Sequence, residues 1–210
     1  MFRLAGKHCA IVGATGGIGF AIAKAFANHG AVVSILGRSA LEAQPRLQPQ
    51  LPPVPAAAPA PLVPEGGTSA RSAHVPPAHR FLRLDVADAE DIKTTFSSRD
   101  ELRGVGPVDV LVNCAAVSQT TLLKRTPDEQ LANILDTNLL AAMLICKHAK
   151  VQANGTSPYL KPELQQAYLR DTPLHRVAEP AEVADAAVFL ASNDFANNCV
   201  LNLDGGLSAA

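Results

Sequence analysis

The residues best suited to chemistry in this sequence are the glycines of the stretch Gly13-Ala14-Thr15-Gly16-Gly17-Ile18-Gly19. A glycine-rich turn lets the backbone approach a phosphate group closely, because no side chain holds the ligand away. Apolar residues 9–12 before the turn predict a buried strand, and residues 20–29 after it have helical periodicity. This order predicts diphosphate binding at the positive end of the helix dipole. The spacing matches neither the G-x-G-x-x-G fingerprint nor a P-loop, so a tight turn without a ligand stays open as an alternative.

A second candidate is Arg38, which follows the apolar run 32–36 that predicts the second strand. In a nucleotide-binding βαβ unit, the residue at this position faces the adenosine ribose. An acidic residue there would bind the 2′-hydroxyl of NAD, whereas an arginine can hold the 2′-phosphate of NADP through charge-assisted hydrogen bonds. The sequence therefore favours NADP(H) over NAD(H) as cofactor. The alternative is a solvated arginine at a strand end.

Strands and helices alternate along the chain as far as residue 150. Residues 80–86 and 108–112 predict the third and fourth strands, and Asp88 predicts the N-cap of a helix between them. Thr126-Pro127-Asp128-Glu129 predicts a further helix start, with Thr126 as N-cap. The alternation predicts an α/β fold with a Rossmann-type doubly wound parallel sheet in one domain spanning residues 1–210.

Composition excludes several classes of function. The net charge is −1 and the sequence pI is about 6.6, with lysine and arginine scattered, so neither nucleic acid nor an anionic membrane surface is expected as a partner. No apolar run approaches the roughly 18 residues of a membrane span, and the first strand begins too early for a signal peptide. The four cysteines have neither zinc nor C-x-x-C spacing, so they are predicted to be reduced packing residues, with no metal bound. We expect an intracellular protein of the cytoplasm or mitochondrial matrix.

Residues 43–79 differ from the rest of the chain, since ten of them are proline and eight are alanine. Pro45 is expected to stop the helix that begins near Ser39. A segment of this composition buries too little apolar surface to offset its ordering entropy. It is therefore predicted to be a disordered or polyproline-like insertion in a surface connection, with a spacer favoured over a docking segment.

The glycine turn resembles the cofactor loop of the short-chain dehydrogenase/reductase family, usually T-G-x-x-x-G-I-G, with Val12 in place of the threonine. Asp85-Val86 resembles the family pair beside the adenine, and the stretch 113–116, Asn-Cys-Ala-Ala, resembles its N-N-A-G segment at the nicotinamide side. The resemblance implies cofactor contacts at Gly13, Thr15, Gly16, Gly17, Ile18, Gly19, Arg38, Asp85, Val86 and Asn113.

Asn138 is the one catalytic residue that the resemblance supplies. It lies in Asp136-Thr137-Asn138-Leu139, which is similar to the family segment whose asparagine anchors a water of the proton relay. From the residues alone, a buried asparagine that satisfies a local hydrogen bond is the alternative.

The resemblance fails after Lys150, where the family has a strand with the catalytic serine and then a Tyr-x-x-x-Lys helix. The residues four positions after Tyr159 and Tyr168 are Glu163 and Thr172, so no Tyr-x-x-x-Lys exists in this sequence. Ser157 follows no apolar strand. The similarity returns after residue 172 and ends in a predicted last strand over residues 199–206. The pattern predicts a deletion junction near residues 150–155 and a sheet lacking two strands and one helix, with the edge of the fourth strand uncovered.

The segments 122–126, 137–140 and 173–176 resemble 3-oxoacyl-(acyl carrier protein) reductases and related carbonyl reductases. The resemblance implies an oxidoreductase that transfers hydride from NADPH to a small-molecule ketone or 3-oxoacyl thioester, impaired here by the missing active-site segment. The alternatives are a non-catalytic NADP(H)-binding subunit and a truncated splice or gene-model product. Two assemblies stay open, a homo-oligomer and a hetero-oligomer with a complete reductase.

Overall fold

A computed structural model of the chain describes residues 4–54, 75–98, 104–119, 121–149, 153–155, 173–174, 176, 178–196 and 199–206. Its centre is a parallel sheet in the order β3-β2-β1-β4-β5. The strands are β1 His8–Val12, β2 Val32–Gly37, β3 Arg80–Arg83, β4 Val110–Asn113 and β5 Ala153–Gly155. The helices are α1 Gly17–Asn28, α2 Ala40–Leu47, α3 Ala89–Ser97, α4 Asp128–Leu135, α5 Ala141–Ala149 and α6 Pro180–Ser192. A π-helical turn, Asp136–Leu140, joins α4 to α5.

Helices cover both faces of this sheet, as the alternating sequence predicted. On one face, Cys9 and Ile11 of β1 belong to an apolar core shared with α1, α2 and α6. On the other face, Ala10 and Val12 of the same strand belong to a core shared with α3 and α5. Successive side chains of a strand point to opposite faces, which explains why every residue of β1 is buried. The doubly wound fold is confirmed.

The helix that begins near Ser39 continues past Pro45 and ends at Leu47, so the predicted stop at Pro45 was wrong. Ala43, Leu47 and Leu51 are buried in the core beside α1. Their burial offsets the backbone hydrogen bond that Pro45 cannot donate. The first part of the proline-rich stretch therefore belongs to the domain, while residues 55–74 lie outside the described residues.

Thr126 does not cap α4, because Pro127 occupies the N-cap position. The Thr126 hydroxyl donates instead to the carbonyl oxygen of Leu122 at 3.0 Å. The Asp88 prediction is confirmed: its side chain accepts hydrogen bonds from the backbone N–H groups of Glu90 and Asp91.

The edge of β4 is covered over three residues, contrary to expectation. Leu111, Val112 and Asn113 of β4 pair in parallel with β5. The last strand predicted over residues 199–206 is not formed: Val200 and Leu201 are exposed and this segment pairs with no strand. A strand needs a ladder partner for its backbone groups, and no described strand lies beside this segment. In the described ranges, none of the helices is long and apolar enough to cross a membrane.

His8 is a buried polar residue at the start of β1, only 1% exposed. Its ring Nδ1 lies 2.6 Å from the carbonyl oxygen of Pro107, and Nε2 lies 2.8 Å from the hydroxyl oxygen of Ser34. A carbonyl oxygen can only accept, so Nδ1 carries the hydrogen and Nε2 accepts from Ser34. Burial lowers the pKa of His8 below 6.5; Arg80 also lowers it, while the Pro107 hydrogen bond and Asp109 raise it. The core therefore holds His8 neutral.

This arrangement predicts a loss of stability in mild acid. The unfolded chain binds a proton at His8 below about pH 6.5 and the folded chain resists it, so the free energy of unfolding falls as the pH drops through that value. One histidine contributes a slope of at most ~1.4 kcal/mol per pH unit. Urea unfolding at several values between pH 7.5 and 5.5 measures it. His8→Gln, which cannot titrate, is expected to have a flatter profile; equal slopes in both proteins would contradict the assignment.

Candidate active site: a nucleotide cleft at the carboxyl ends of the strands

An open cleft lies where β1, β2, β3 and β4 end. It encloses about 910 Å³ of empty space, including open solvent. Open parallel sheets bind ligands at this edge, beside the point where the strand order reverses around β1. The lining residues come from five segments of the chain: Val12, Gly13, Thr15, Gly16, Gly37, Arg38, Ser39, Leu84, Asp85, Val86, Ala87, Cys114, Ala115, Ala116, Val117, Asn133 and Thr137.

The backbone of the glycine turn packs closely against the start of α1 and against the loop after β4. Gly13 has φ +78°, and a Cβ atom there would lie 2.7 Å from the backbone nitrogen of Ala115. A Cβ atom at Gly19 would lie 2.6 Å from the carbonyl oxygen of Gly13. Hydrogen bonds from Gly13 N–H to Leu36 and from Cys114 N–H to Val12 fix the turn between β2 and β4. Gly13 and Gly19 are therefore required by packing of the turn itself.

Gly16 has a different role, because it is the N-cap of α1. It provides no side-chain acceptor, and the first turn of α1 contains no acidic residue. The N–H groups at this helix end are therefore left to a ligand, and the helix dipole favours an anion. Gly17, Ile18 and Gly19 form that first turn and are not among the cleft-lining residues, whereas Gly13, Thr15 and Gly16 are.

Arg38 lies at the end of β2, in the cleft wall, as the sequence predicted. Its side chain is exposed, and within the described part of the chain its guanidinium forms no hydrogen bond or ion pair. The neighbouring hydroxyls of Ser39 and Thr15 lie 3.5 Å apart. An arginine without an internal partner, beside two hydroxyls, has the donors that a phosphate monoester requires.

Asp85 and Val86 lie together in the cleft wall after β3. The Asp85 carboxylate accepts a hydrogen bond from the backbone of Ala87 at 3.1 Å, and its own N–H donates to Asp91. These bonds fix the loop against the start of α3.

Asn113, the last residue of β4, does not line the cleft but shapes the loop that does. Its side-chain oxygen accepts a hydrogen bond from the backbone N–H of Ala115. Cys114 lines the cleft, and burial raises the pKa of its thiol to about 11. The thiol is therefore neutral near pH 7 and is not a nucleophile.

Asn138 lies in the π-helical turn and outside the cleft lining. Its side-chain oxygen accepts from the N–H of Val117, and its side-chain nitrogen donates to the carbonyl of Val117, each at 2.8 Å. Both ends of the amide are therefore used to hold the loop after β4. The structure places the Asn138 side chain as a support of the cleft, and its role toward a water molecule stays a prediction.

Asn133 and Thr137 are cleft residues that sequence reasoning missed. They lie four residues apart, on α4 and the π-helical turn, and Thr137 is buried. Their i, i+4 spacing was a readable signal of a shared helix face, but nothing in the sequence connected that face with the glycine turn.

Ser157, Tyr159 and Tyr168 lie outside the described residues. Within the described ranges, no group of three or more His, Cys, Asp or Glu side chains could hold a metal ion. Cys9, Cys114, Cys146 and Cys199 are free thiols, as predicted, but Cys146 and Cys199 are exposed, so the prediction that all four are packing residues was wrong for these two.

Comparisons with known proteins agree with this geometry. Residues 65–158 match a family model described as enoyl-(acyl carrier protein) reductase. The chain is 26% identical over 257 aligned positions to a mouse 3-oxoacyl-[acyl-carrier-protein] reductase, covering 96% of this chain and 98% of that protein. It is 26% identical to zebrafish carbonyl reductase family member 4, over 61% of this chain and 77% of that protein. A solved structure titled "Crystal structure of gox2181" has the same fold, with a TM-score of 0.76 and 20% identity over 100% of this chain and 98% of that one. With the glycine turn and the doubly wound sheet, these matches support the similarity of this chain to the short-chain dehydrogenase/reductase family.

Proposed function

We propose that this chain binds NADP(H) in the cleft, in the manner of a reductase that transfers hydride to a ketone, either a 3-oxoacyl thioester or a simpler carbonyl. The observation that carries the proposal is the meeting of the glycine turn, the uncapped start of α1 and Arg38 in one cleft. These groups supply a diphosphate site and a cation for a 2′-phosphate. The names of the similar reductases support the reaction class.

We also propose that this chain reduces its carbonyl substrate slowly. The sequence contains no Tyr-x-x-x-Lys, so the acid that would protonate the carbonyl oxygen is missing from its expected place. General acid catalysis and carbonyl polarisation each contribute about two to four orders of magnitude in rate. The alignment to the mouse reductase runs over 257 positions, more than the 210 residues of this chain, so it contains gaps opposite segments of that relative. This difference supports a missing internal segment.

When NADPH is bound, the cofactor supplies the hydride. The described residues of this chain orient it. The glycine turn and the start of α1 would hold the diphosphate, and Asn138 holds the loop after β4 through Val117. Cys114 contributes a neutral thiol to the wall and takes no proton near pH 7.

A non-catalytic subunit that binds NADP(H) beside a complete reductase is the second candidate. Apolar side chains on α4, the π-helical turn and α5 are unusually exposed, which favours a protein partner: Leu135 59%, Leu139 57%, Leu140 45% and Met143 61%. A homo-oligomer would use the same residues. We place either form inside the cell, in the cytoplasm or mitochondrial matrix.

Two assays on the purified chain test the proposal. Fluorescence titration with NADPH and NADH measures binding, and absorbance at 340 nm with an acetoacetyl thioester measures reduction. We expect NADPH to bind more tightly than NADH, with turnover at least about 100-fold below that of a complete reductase. Binding without any turnover would favour the subunit function. Absence of binding to both dinucleotides would refute both candidates.

A further inference from the structure

Asn133 lines the cleft from the helical layer of the fold. Among the cleft residues that the structure describes, only Asn133 and Thr137 belong to helical segments, and the others come from strand ends and loops. The two side chains therefore add polar groups to the cleft wall from a separate layer of the fold.

One hydrogen bond joins the side chains of Thr137 and Asn133. The hydroxyl of Thr137, which is 6% exposed, donates to the side-chain oxygen of Asn133 over a long 3.4 Å. This bond uses one of the two lone pairs of the amide oxygen, so the oxygen can still accept one hydrogen bond from a ligand. In the described part of the chain, the Asn133 side-chain nitrogen has no hydrogen-bond partner, so its two N–H donors are available to a ligand.

The position of a dinucleotide follows from the groups already described. With the diphosphate at the glycine turn and a 2′-phosphate at Arg38, the adenosine ribose lies between them. The base is attached to that ribose, so it must lie within the adjoining part of the cleft. The apolar side chains of Leu84 and Val86 after β3 and Val117 after β4 line the same cleft as Asn133. They provide surfaces for a flat ring, and Asn133 provides polar atoms for its edge.

Adenine presents a ring nitrogen acceptor beside an amino donor, and an asparagine amide matches this pair with one N–H donor and one carbonyl acceptor. We propose that Asn133 recognises the adenine edge of NADP(H), oriented by Thr137, which makes it a base-specificity residue of this cleft. The inference rests on the proposed dinucleotide function. It predicts discrimination against hypoxanthine, which has a carbonyl oxygen in place of the amino group.

The test compares NADPH with its hypoxanthine analogue by fluorescence titration. The full-length chain is expected to bind NADPH about tenfold more tightly than the analogue, since a mismatched polar pair costs about 1–3 kcal/mol. Asn133→Ala is expected to weaken NADPH binding five- to tenfold and to bring the two affinities together. Thr137→Val, which removes the orienting hydroxyl, is expected to reduce the preference in part. Asp136→Asn, an exposed neighbour outside the cleft, is the matched control and keeps the parental preference.

The outcomes separate the inference from the function on which it rests. If the parent binds NADPH but Asn133→Ala retains both its affinity and its preference for adenine, the inference is overturned and the cofactor proposal stands. If the parent binds neither dinucleotide, both are overturned. A circular dichroism spectrum equal to the parent's confirms that each variant is folded. A folded Asn133→Ala protein with lost preference supports the assignment.

Discussion

Gly13→Ala is expected to abolish the folded state or destabilise it severely, whereas Gly16→Ala is expected to fold like the parent. At Gly13 the backbone has φ +78°, which costs a residue with a Cβ atom about 1–2 kcal/mol. The new methyl group would also lie 2.7–2.9 Å from backbone atoms of Cys114 and Ala115, which cannot move aside like a flexible side chain. Overpacking of this kind adds about 1–3 kcal/mol, so the total loss is about 2–5 kcal/mol, a large part of the stability of a domain this size.

Gly16→Ala is the matched control for Gly13→Ala. A Cβ atom at Gly16 has its nearest neighbour, the carbonyl oxygen of Gly13, at 3.7 Å, which is an ordinary contact. Urea unfolding of the parent and both variants, followed by circular dichroism, measures the difference. NADPH titration of the folded Gly16→Ala protein then reports whether a methyl group at the start of α1 hinders the diphosphate. If Gly13→Ala were as stable as the parent, the glycine turn could not pack against the loop after β4 as closely as the structure shows.

Arg38→Asp is expected to reverse the preference for the two cofactors. The change removes the guanidinium from the cleft wall and puts a carboxylate where the 2′-phosphate of NADPH would lie. Loss of a hydrogen-bonded charge pair costs about 1.5–3 kcal/mol, or roughly a 10- to 100-fold loss of NADPH affinity. The carboxylate can accept a hydrogen bond from the 2′-hydroxyl of NADH, so NADH affinity is expected to rise.

Lys24→Asp makes the same change of charge on the exposed side of α1, outside the cleft. This control variant separates the loss of a specific phosphate contact from a general change in the electrostatic field of the protein. Titration with NADPH and NADH at two salt concentrations measures both variants. We expect Lys24→Asp to keep the parental order of affinities. NADPH affinity that is unchanged in Arg38→Asp would rule out Arg38 as the phosphate ligand.

The sequence determined strands β1 to β4, helices α1 and α3, and much of the cleft. The reason is local: the apolar run of β1, the glycines after it and the helix that follows are contiguous, and their order has one favoured way of folding back on a sheet. The sequence could locate Gly13, Thr15, Gly16, Arg38, Asp85 and Val86 at the cleft because each lies within four residues of a strand end, and the carboxyl ends of parallel strands meet at one edge. For Asp85 and Val86, the family resemblance pointed to the same place. Asp88 was identifiable as a cap because its hydrogen bonds reach only two and three residues along the chain.

Tertiary structure determined the features that local sequence patterns do not reveal. Pro45 is tolerated inside α2 because Ala43 and Leu47 are buried, and a local rule for proline does not include that burial. The covered edge of β4 depends on pairing with a segment 42 residues further along, which no local pattern reveals. Asn138 could be located on its helix from sequence, but its two hydrogen bonds to Val117 depend on how that helix packs against the loop after β4. Asn133 joins the cleft for the same reason, since helix packing and not sequence spacing brings α4 to the ends of the strands.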